Sequence, residues 1–288
     1  MQRTAIIVNP KSGTRSVNDR ISTIRAAMPA GIEFDIFVIE KPGDRQEILL
    51  NALSGRYTSV AVAGGDGTVN FAAAFLAGKE IPLAIIPMGS GNGLARHLGI
   101  PHDLSKALLL IKEGRVRKID AAYINEKAFF CTAGVGFDAH IGKLFAGSQR
   151  RGLRTYAEIT IRQLRLFKPS VYCLEIDGIR SEHEAFLITF ANASQYGGNA
   201  FIAPRADISD GLLDICIFRP FPFLRGIPLA IRLFNKTIHH SKDVSIVRGR
   251  HIILRRGSCG PVQYDGEPDM MGTVLEIRIE PGSLNVFV

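Results

Sequence analysis

The sequence predicts two parts of different class: an α/β N-terminal domain on a parallel sheet, residues 1–122, and a mainly antiparallel β-sandwich domain, residues 123–276. Three observations predict it. Up to Arg115, short apolar runs alternate with helical segments, as in parallel sheets covered by helices. Beyond Arg115, strand-like runs follow one another across turns such as INEK, DG and RG, which reads as antiparallel β structure. Third, the loops NPKSG (Asn9 to Gly13), GGDG (Gly64 to Gly67) and PMGSGNG (Pro87 to Gly93) each follow a strand. Open parallel sheets bind ligands at that end.

The elements follow in order. TAIIVNP is a strand and RSVNDRISTIRAAM a helix; EFDIFVI is the second strand and DRQEILLNALS its helix. SVAVA, β-branched and bounded by turn residues, is the third strand, and TVNFAAAFLAG, Ala-rich and stopped at Gly78, is its helix. PLAIIP is the fourth strand, with GLARHLG and LSKALLLIKEG helical after it. The second domain reads as VRKIDAAYIN, KAFFCTAGVGF, VYCLEIDG, EAFLITFANA, LLDICIF, VSIVRG, HIILRR and LEIRIE, with one helical interruption at RGLRTYAEITIRQLRLF. The boundary falls near Tyr123, and the last strand, 277–288, is a candidate to return to the first domain.

Bulk properties limit the function. With 288 residues, 46% of them hydrophobic and 22% charged, the chain has ample material for cores. No apolar run approaches the ~18 residues of a transmembrane helix. The opening MQRTAIIVNPKSG has too short an apolar stretch for a signal peptide, so a cytoplasmic protein is expected. Cys131, Cys173, Cys216 and Cys259 lie far apart in or beside apolar runs, so buried free thiols are expected and zinc is not. Part of the net charge of +8 is concentrated: seven Lys or Arg against Glu158 from Lys143 to Lys168, and nine against Asp243 from Arg219 to Arg256. Such stretches are solvated basic faces or attract phosphates and anionic headgroups. No nucleic-acid recognition motif accompanies them.

NPKSG, GGDGTVN, PMGSGNGLARHLGIP, SDGLLDI and YDGE, in this order from Asn9 to Glu267, resemble the diacylglycerol kinase catalytic family, which includes bacterial lipid kinases and sphingosine and ceramide kinases. The resemblance implies the fold shared with NAD kinases, and ATP- and Mg²⁺-dependent phosphorylation of a lipid hydroxyl. It further implies a cytoplasmic enzyme in peripheral contact with anionic membrane; a homodimer stays open as an assembly. The GSGNGLA version of the third loop looks closer to the sphingosine and ceramide branch and leaves the acceptor lipid open. The alternatives are a kinase of a soluble acceptor such as NAD, which shares GGDG, and a catalytically inactive lipid-binding homologue.

Phosphoryl transfer needs a phosphate cradle, a metal and a base near the acceptor hydroxyl. There is no Walker loop. Amides of Gly64, Gly65 and Gly67 at a helix start are suited to phosphate oxygens, and glycine there can supply positive φ or let a ligand meet bare backbone. Thr68 and Asn70, with Asn9, Pro10, Lys11, Ser12 and Gly13 from the first loop and Ser90 and Asn92 from the third, complete an ATP rim. Asp66 among phosphates suggests a carboxylate that orients Mg²⁺–water or meets the acceptor hydroxyl; simple turn chemistry is its alternative. In YDGE, the resemblance makes Glu267 the proton acceptor, with Asp265 placing metal or water, against an ordinary Asp-Gly hairpin. Sequence does not decide between Asp66 and Glu267 as base. The resemblance also implies a structural Mg²⁺ on Asp207, Asp210 and the Leu212 carbonyl, against a capped β-turn. Phe221 and Phe223 in RPFPFLRG are core residues or line an acyl groove or a bilayer contact.

Overall fold

Apolar β-branched runs of five or six residues organise the first part of the molecule. The computed structural model describes residues 3–10, 12, 16–41, 43–148 and 153–288, with side chains of the last segment from 155 onward. Contacts divide the chain into Met1–Ile119 with Gly282–Val288, and Asp120–Pro281.

In the first unit, β1 (Arg3–Val8), β2 (Glu33–Val38), β3 (Ser59–Gly64) and β4 (Leu83–Pro87) pair in parallel in the order β2-β1-β3-β4. The end of β16 (Val274–Phe287) adds to β4 in parallel through Val286 and Leu83. Ile6, Val8, Ala61, Ala63, Ala84 and Ile86 face α1 (Val17–Ala27) and α5 (Leu104–Glu113) through Ile24, Leu108 and Ile111. The alternate residues Ala5, Ile7, Val60 and Val62 are buried as well, so both sheet faces are covered, as parallel sheets require. Leu49 of α2 (Asp44–Ala52) and Leu76 of α3 (Asp66–Leu76) are buried too; each such side chain contributes roughly 1.5–3 kcal/mol. Ser16 caps α1 by accepting from the Asp19 amide, and Asp103 caps α5 through Lys106. Gly114, at φ 71°, ends α5 in the left-handed conformation that glycine reaches without strain.

Among the described residues of the second unit, six strands form an antiparallel sheet in the order β12 (Val244–Gly249), β11 (Leu213–Phe218), β10 (Leu187–Ala191), β7 (Thr132–Gly136), β14 (Gly260–Tyr264) and β15 (Glu267–Met271). β16 pairs with β5 (Val116–Ile124), and its start, Val274 to Arg278, pairs with β13 (His251–Arg256). Beyond these, β6 (Lys127–Phe129) joins β5, and β8 (Ser170–Ile176) and β9 (Ile179–Ala185) follow β13. Alternation sorts the side chains between layers. Ile188, Phe190, Ile215 and Ile217 enter the sandwich core with Leu174, Leu254 and Leu275. Their neighbours Leu187, Ala191, Cys216 and Phe218 face a second core with α6 (Phe137–Ala146), α7 (Leu153–Leu164) and α8 (Gly226–Phe234).

Among the described residues α7 falls in the one helical interruption that was expected, and α6 and α8 are helices that were not. The run KAFFCTAGVGF is split at Phe130–Cys131 and EAFLITFANA at Phe186, while β14 and β15 were not read as strands. All four cysteines are free, but only Cys131 and Cys216 are buried; Cys173 is half-buried and Cys259 exposed.

Candidate functional site

In the first unit the three glycine-bearing loops are bonded to one another at the carboxyl ends of β1, β3 and β4. Asn9 donates from Nδ2 to Thr68 Oγ1 at 2.7 Å, and the Gly65 amide donates to Ser12 Oγ at 3.2 Å. Asn92, left-handed at φ 49°, closes the third loop on itself: Oδ1 accepts from the Gly89 amide at 3.0 Å and Nδ2 donates to Gly89 O at 2.7 Å. Asp66 joins the second loop to the third, its oxygens accepting from the Asn92 and Gly93 amides at 2.8 and 2.7 Å. Those amides open the short helix α4 (Gly93–His97), so the carboxylate is placed where a helix start favours negative charge. Asn70 lies half-buried on α3 and Ser90 is exposed. Lys11 and Gly13 lie outside the described residues.

The glycines serve close approach. The expectation of positive φ is not met: Gly64, Gly65 and Gly67 are all absent from the residues at positive φ. A Cβ on Gly89 would stand 2.7 Å from the Gly65 Cα, and one on Gly91 would stand 2.6 Å from Asp66 Oδ2. Side chains there would push the loops apart.

A residue the sequence reading missed holds the first loop. Arg20 of α1 is only 5% exposed; Nη1 donates to the carbonyls of Asn9 and Ser12 at 2.8 and 2.5 Å, and Nη2 to Pro10 O at 2.7 Å. The guanidinium fork makes the turn rigid by gathering its carbonyls. The signal was present: Arg20 stands four residues before Ile24, on the inward face of the helix.

In the second unit YDGE is a two-residue hairpin. Tyr264 pairs with Glu267, and Asp265 and Gly266 stand at φ 46° and 84°, the sense a type I′ turn requires. Glu267 begins β15 and is exposed. Asp265 faces inward: Oδ2 accepts from the Phe130 amide at 2.8 Å, and Oδ1 from the Cys131 and Thr132 amides at 2.8 and 3.0 Å. The Phe130 and Cys131 carbonyls in turn accept from Asn192 Nδ2 and from the Asn192 and Ala193 amides. This exchange interrupts the strand between β6 and β7, and it anchors the turn that carries Glu267.

The Asp207–Asp214 segment is a set of capped turns. Asp207 Oδ1 accepts from the Ser209 amide and hydroxyl, and Asp210 Oδ1 accepts from the Leu212 amide at 3.0 Å. Arg248 lies 3.3 Å from Asp210 Oδ2 and 3.2 Å from Asp214 Oδ1. The guanidinium thus pairs with Asp210 and Asp214, and among the described residues no group of three His, Cys, Asp or Glu is arranged to hold a metal. As placed, Asp210 is already engaged by Arg248 and by the Leu212 amide.

A second missed residue lies behind the hairpin. Asp138, at the start of α6, accepts from the Ala139 amide at 2.7 Å, from Thr189 Oγ1 at 3.2 Å, from Tyr196 OH at 3.3 Å and from Gln263 Nε2 at 3.4 Å. Gln263 Oε1 accepts in turn from the Gly266 amide at 3.2 Å. The residue keeps some exposure, yet the protein packed around its carboxyl pushes its pKa up to about 6, against the pull of these hydrogen bonds. The lone acid in AGVGFDAHIG was the available signal. Because the folded value exceeds the ordinary 3.8, the unfolded chain gives up this proton first. The group's stability contribution is full at low pH and is lost as pH rises from about 4 to about 6. Asp138→Asn removes that slope. Urea unfolding at pH 4 and pH 7 should show the wild type losing up to about 3 kcal/mol more than the variant across this window; parallel losses would show that Asp138 ionises without cost.

The diacylglycerol kinase catalytic domain family matches residues 3–124, and the YegS C-terminal NAD kinase beta sandwich-like domain matches residues 131–288. The chain is 33% identical over 291 residues to a diacylglycerol kinase of Mycobacterium tuberculosis, covering 97% of this chain and 93% of that protein. It is 28% identical over 288 residues to a "probable lipid kinase YegS-like" of Cronobacter sakazakii, covering 97% and 93%. A crystal structure of a "putative diacylglycerol kinase" from Bacillus anthracis superposes with a TM-score of 0.80 at 25% identity, covering 99% of this chain and 96% of that one.

Proposed function

We propose, because this chain belongs to the diacylglycerol kinase catalytic domain family, that it transfers the γ-phosphoryl group of ATP to the hydroxyl of a membrane lipid, of the diacylglycerol or the sphingoid class. The observation that carries the reading is the bonding of three glycine-bearing loops into one rim at the sheet's carboxyl end. In this reading ATP arrives as its magnesium complex, and its phosphates lie against the first turn of α3 and the loops of Ser12 and Ser90. Asn9 and Thr68 hold each other in place there, and Arg20 fixes the first loop through its carbonyls. The protein works at the membrane as a peripheral enzyme.

Glu267 is the base in this proposal. Taking a proton onto Asp66 would disturb an oxygen that already accepts from the third loop, so Asp66 is assigned the positioning of that loop. Glu267 is exposed on a turn held from beneath by Asp265. An alcohol is too weak an acid to ionise first at neutral pH; a carboxylate in contact accepts its proton as the new P–O bond forms. Asp265 acts on Glu267 through the backbone.

The test offers radiolabelled Mg·ATP with mixed micelles of diacylglycerol, monoacylglycerol, ceramide, sphingosine or phosphatidylglycerol, and separately with NAD. Label is expected in at least one lipid. Label in NAD alone would replace the lipid acceptor with a soluble one, and label in none would leave a binding protein without turnover.

A further inference from the structure

We propose that the outward face of α8, with the end of α7 beside it, docks the second unit on an anionic lipid bilayer. The inference takes its purpose from the lipid-kinase reading, but it rests on a surface that the phosphoryl chemistry does not use.

Helix α8 is apolar on two opposite faces. Leu229 and Leu233 turn inward with Phe221 onto the core of the second unit. On the other side, Ile227, Ile231 and Phe234 are 65%, 55% and 60% exposed, and Leu224 in the preceding turn is 79% exposed. The spacing 227, 231, 234 puts these three in one stripe. An ordinary surface helix carries polar residues there, and a stripe of large apolar side chains in water implies a partner. Helix α7 ends alongside: Leu164 packs against Gly226, and the Arg165 guanidinium lies 4.3 Å from the Phe223 ring centroid. Near this end Ile161 and Leu166 are 63% and 65% exposed.

Charge selects the partner. From Arg219 to Lys236 the chain carries four Lys or Arg and no acid; from Ile159 to Lys168 it carries three and no acid. The acid of the following segment, Asp243, is paired with Arg225 at 2.7 Å. A second copy of the chain docking face to face would set these cations against themselves. A bilayer with anionic headgroups meets both features: the cations stand at the phosphates while the apolar stripe enters the acyl boundary.

Cosedimentation without ATP tests this, using vesicles of phosphatidylcholine alone or with about one third phosphatidylglycerol. The wild type should bind the anionic vesicles about tenfold or more tightly than the neutral ones, and lose that preference at high salt. Ile227→Glu with Ile231→Glu, and separately Leu224→Ser with Phe234→Ser, should each weaken anionic-vesicle binding by about tenfold or more with an unchanged thermal midpoint. Phosphorylation of a short-chain acceptor below its micelle concentration should be unaffected, so a failure of the kinase reading registers separately from a failure of docking. Equal binding by wild type and variants, or no binding of the wild type to anionic vesicles, overturns the proposal. So does a wild-type dimer that the glutamate variant turns into a monomer, because the face would then belong to a second copy.

Discussion

Glu267→Gln should lower kcat by about 10²- to 10⁴-fold while leaving the folded state intact. The amide matches the carboxylate in shape and differs chiefly in being unable to take a proton. Glu267 is exposed at the first position of β15, so no buried partner is orphaned by the change. The thermal midpoint should move by no more than about a degree, as for a surface substitution. The KM for ATP should hold as well, because the nucleotide is assigned to the loops of Asn9, Gly65 and Asn92 in the first unit. Steady-state kinetics on the lipid identified by the acceptor screen, together with thermal unfolding, read all three quantities. Undiminished turnover would remove Glu267 as the base and return the role to Asp66.

The first unit was legible because its local signals agree with its tertiary fate. SVAVA is β-branched, buried on both faces and flanked by turns, and it became β3 within a residue at either end. The missed elements break local rules that the fold can override. GPVQYDGEPDMM contains Pro261 and Pro268, which argue against strands; yet β15 lies at the sheet edge, and β14 meets β7 only from Val262 to Tyr264, beyond Pro261. Edge positions tolerate a missing amide donor. In GIPLAIRLF, Pro228 falls in the first turn of α8, where a helix loses nothing by it. Of the site, the Asp-Gly turn could be read from two adjacent letters. The amides that receive Asp265 lie more than 130 residues away in the chain, and no spacing within YDGE reports them. The rim differed in another way: glycines that suggested left-handed turns are needed because Gly65 and Gly89 approach backbone to backbone.

The hairpin should respond in the opposite sense when its other acid is changed. Asp265→Asn replaces one acceptor oxygen by a donor, so at least one of the Phe130, Cys131 and Thr132 amides loses its partner and another N–H faces it. Charged acceptors contribute more than neutral ones, and an unsatisfied part-buried donor costs about 1–3 kcal/mol by itself. The expected loss is about 2–4 kcal/mol, a fall in thermal midpoint on the order of 10 °C for a unit of this size. Activity should fall with it even well below the new midpoint, because the turn carrying Glu267 is no longer held. Asp265→Glu should not rescue, since an added methylene moves the carboxylate off three amides fixed by Asn192 and Ala193. If Asp265 instead served to place a metal or water, Asp265→Asn would be as stable as the wild type and merely slow, the signature expected of Glu267→Gln. Thermal unfolding and single-turnover rates on the two variants together therefore decide whether this residue works on the reactants or on the backbone beneath them.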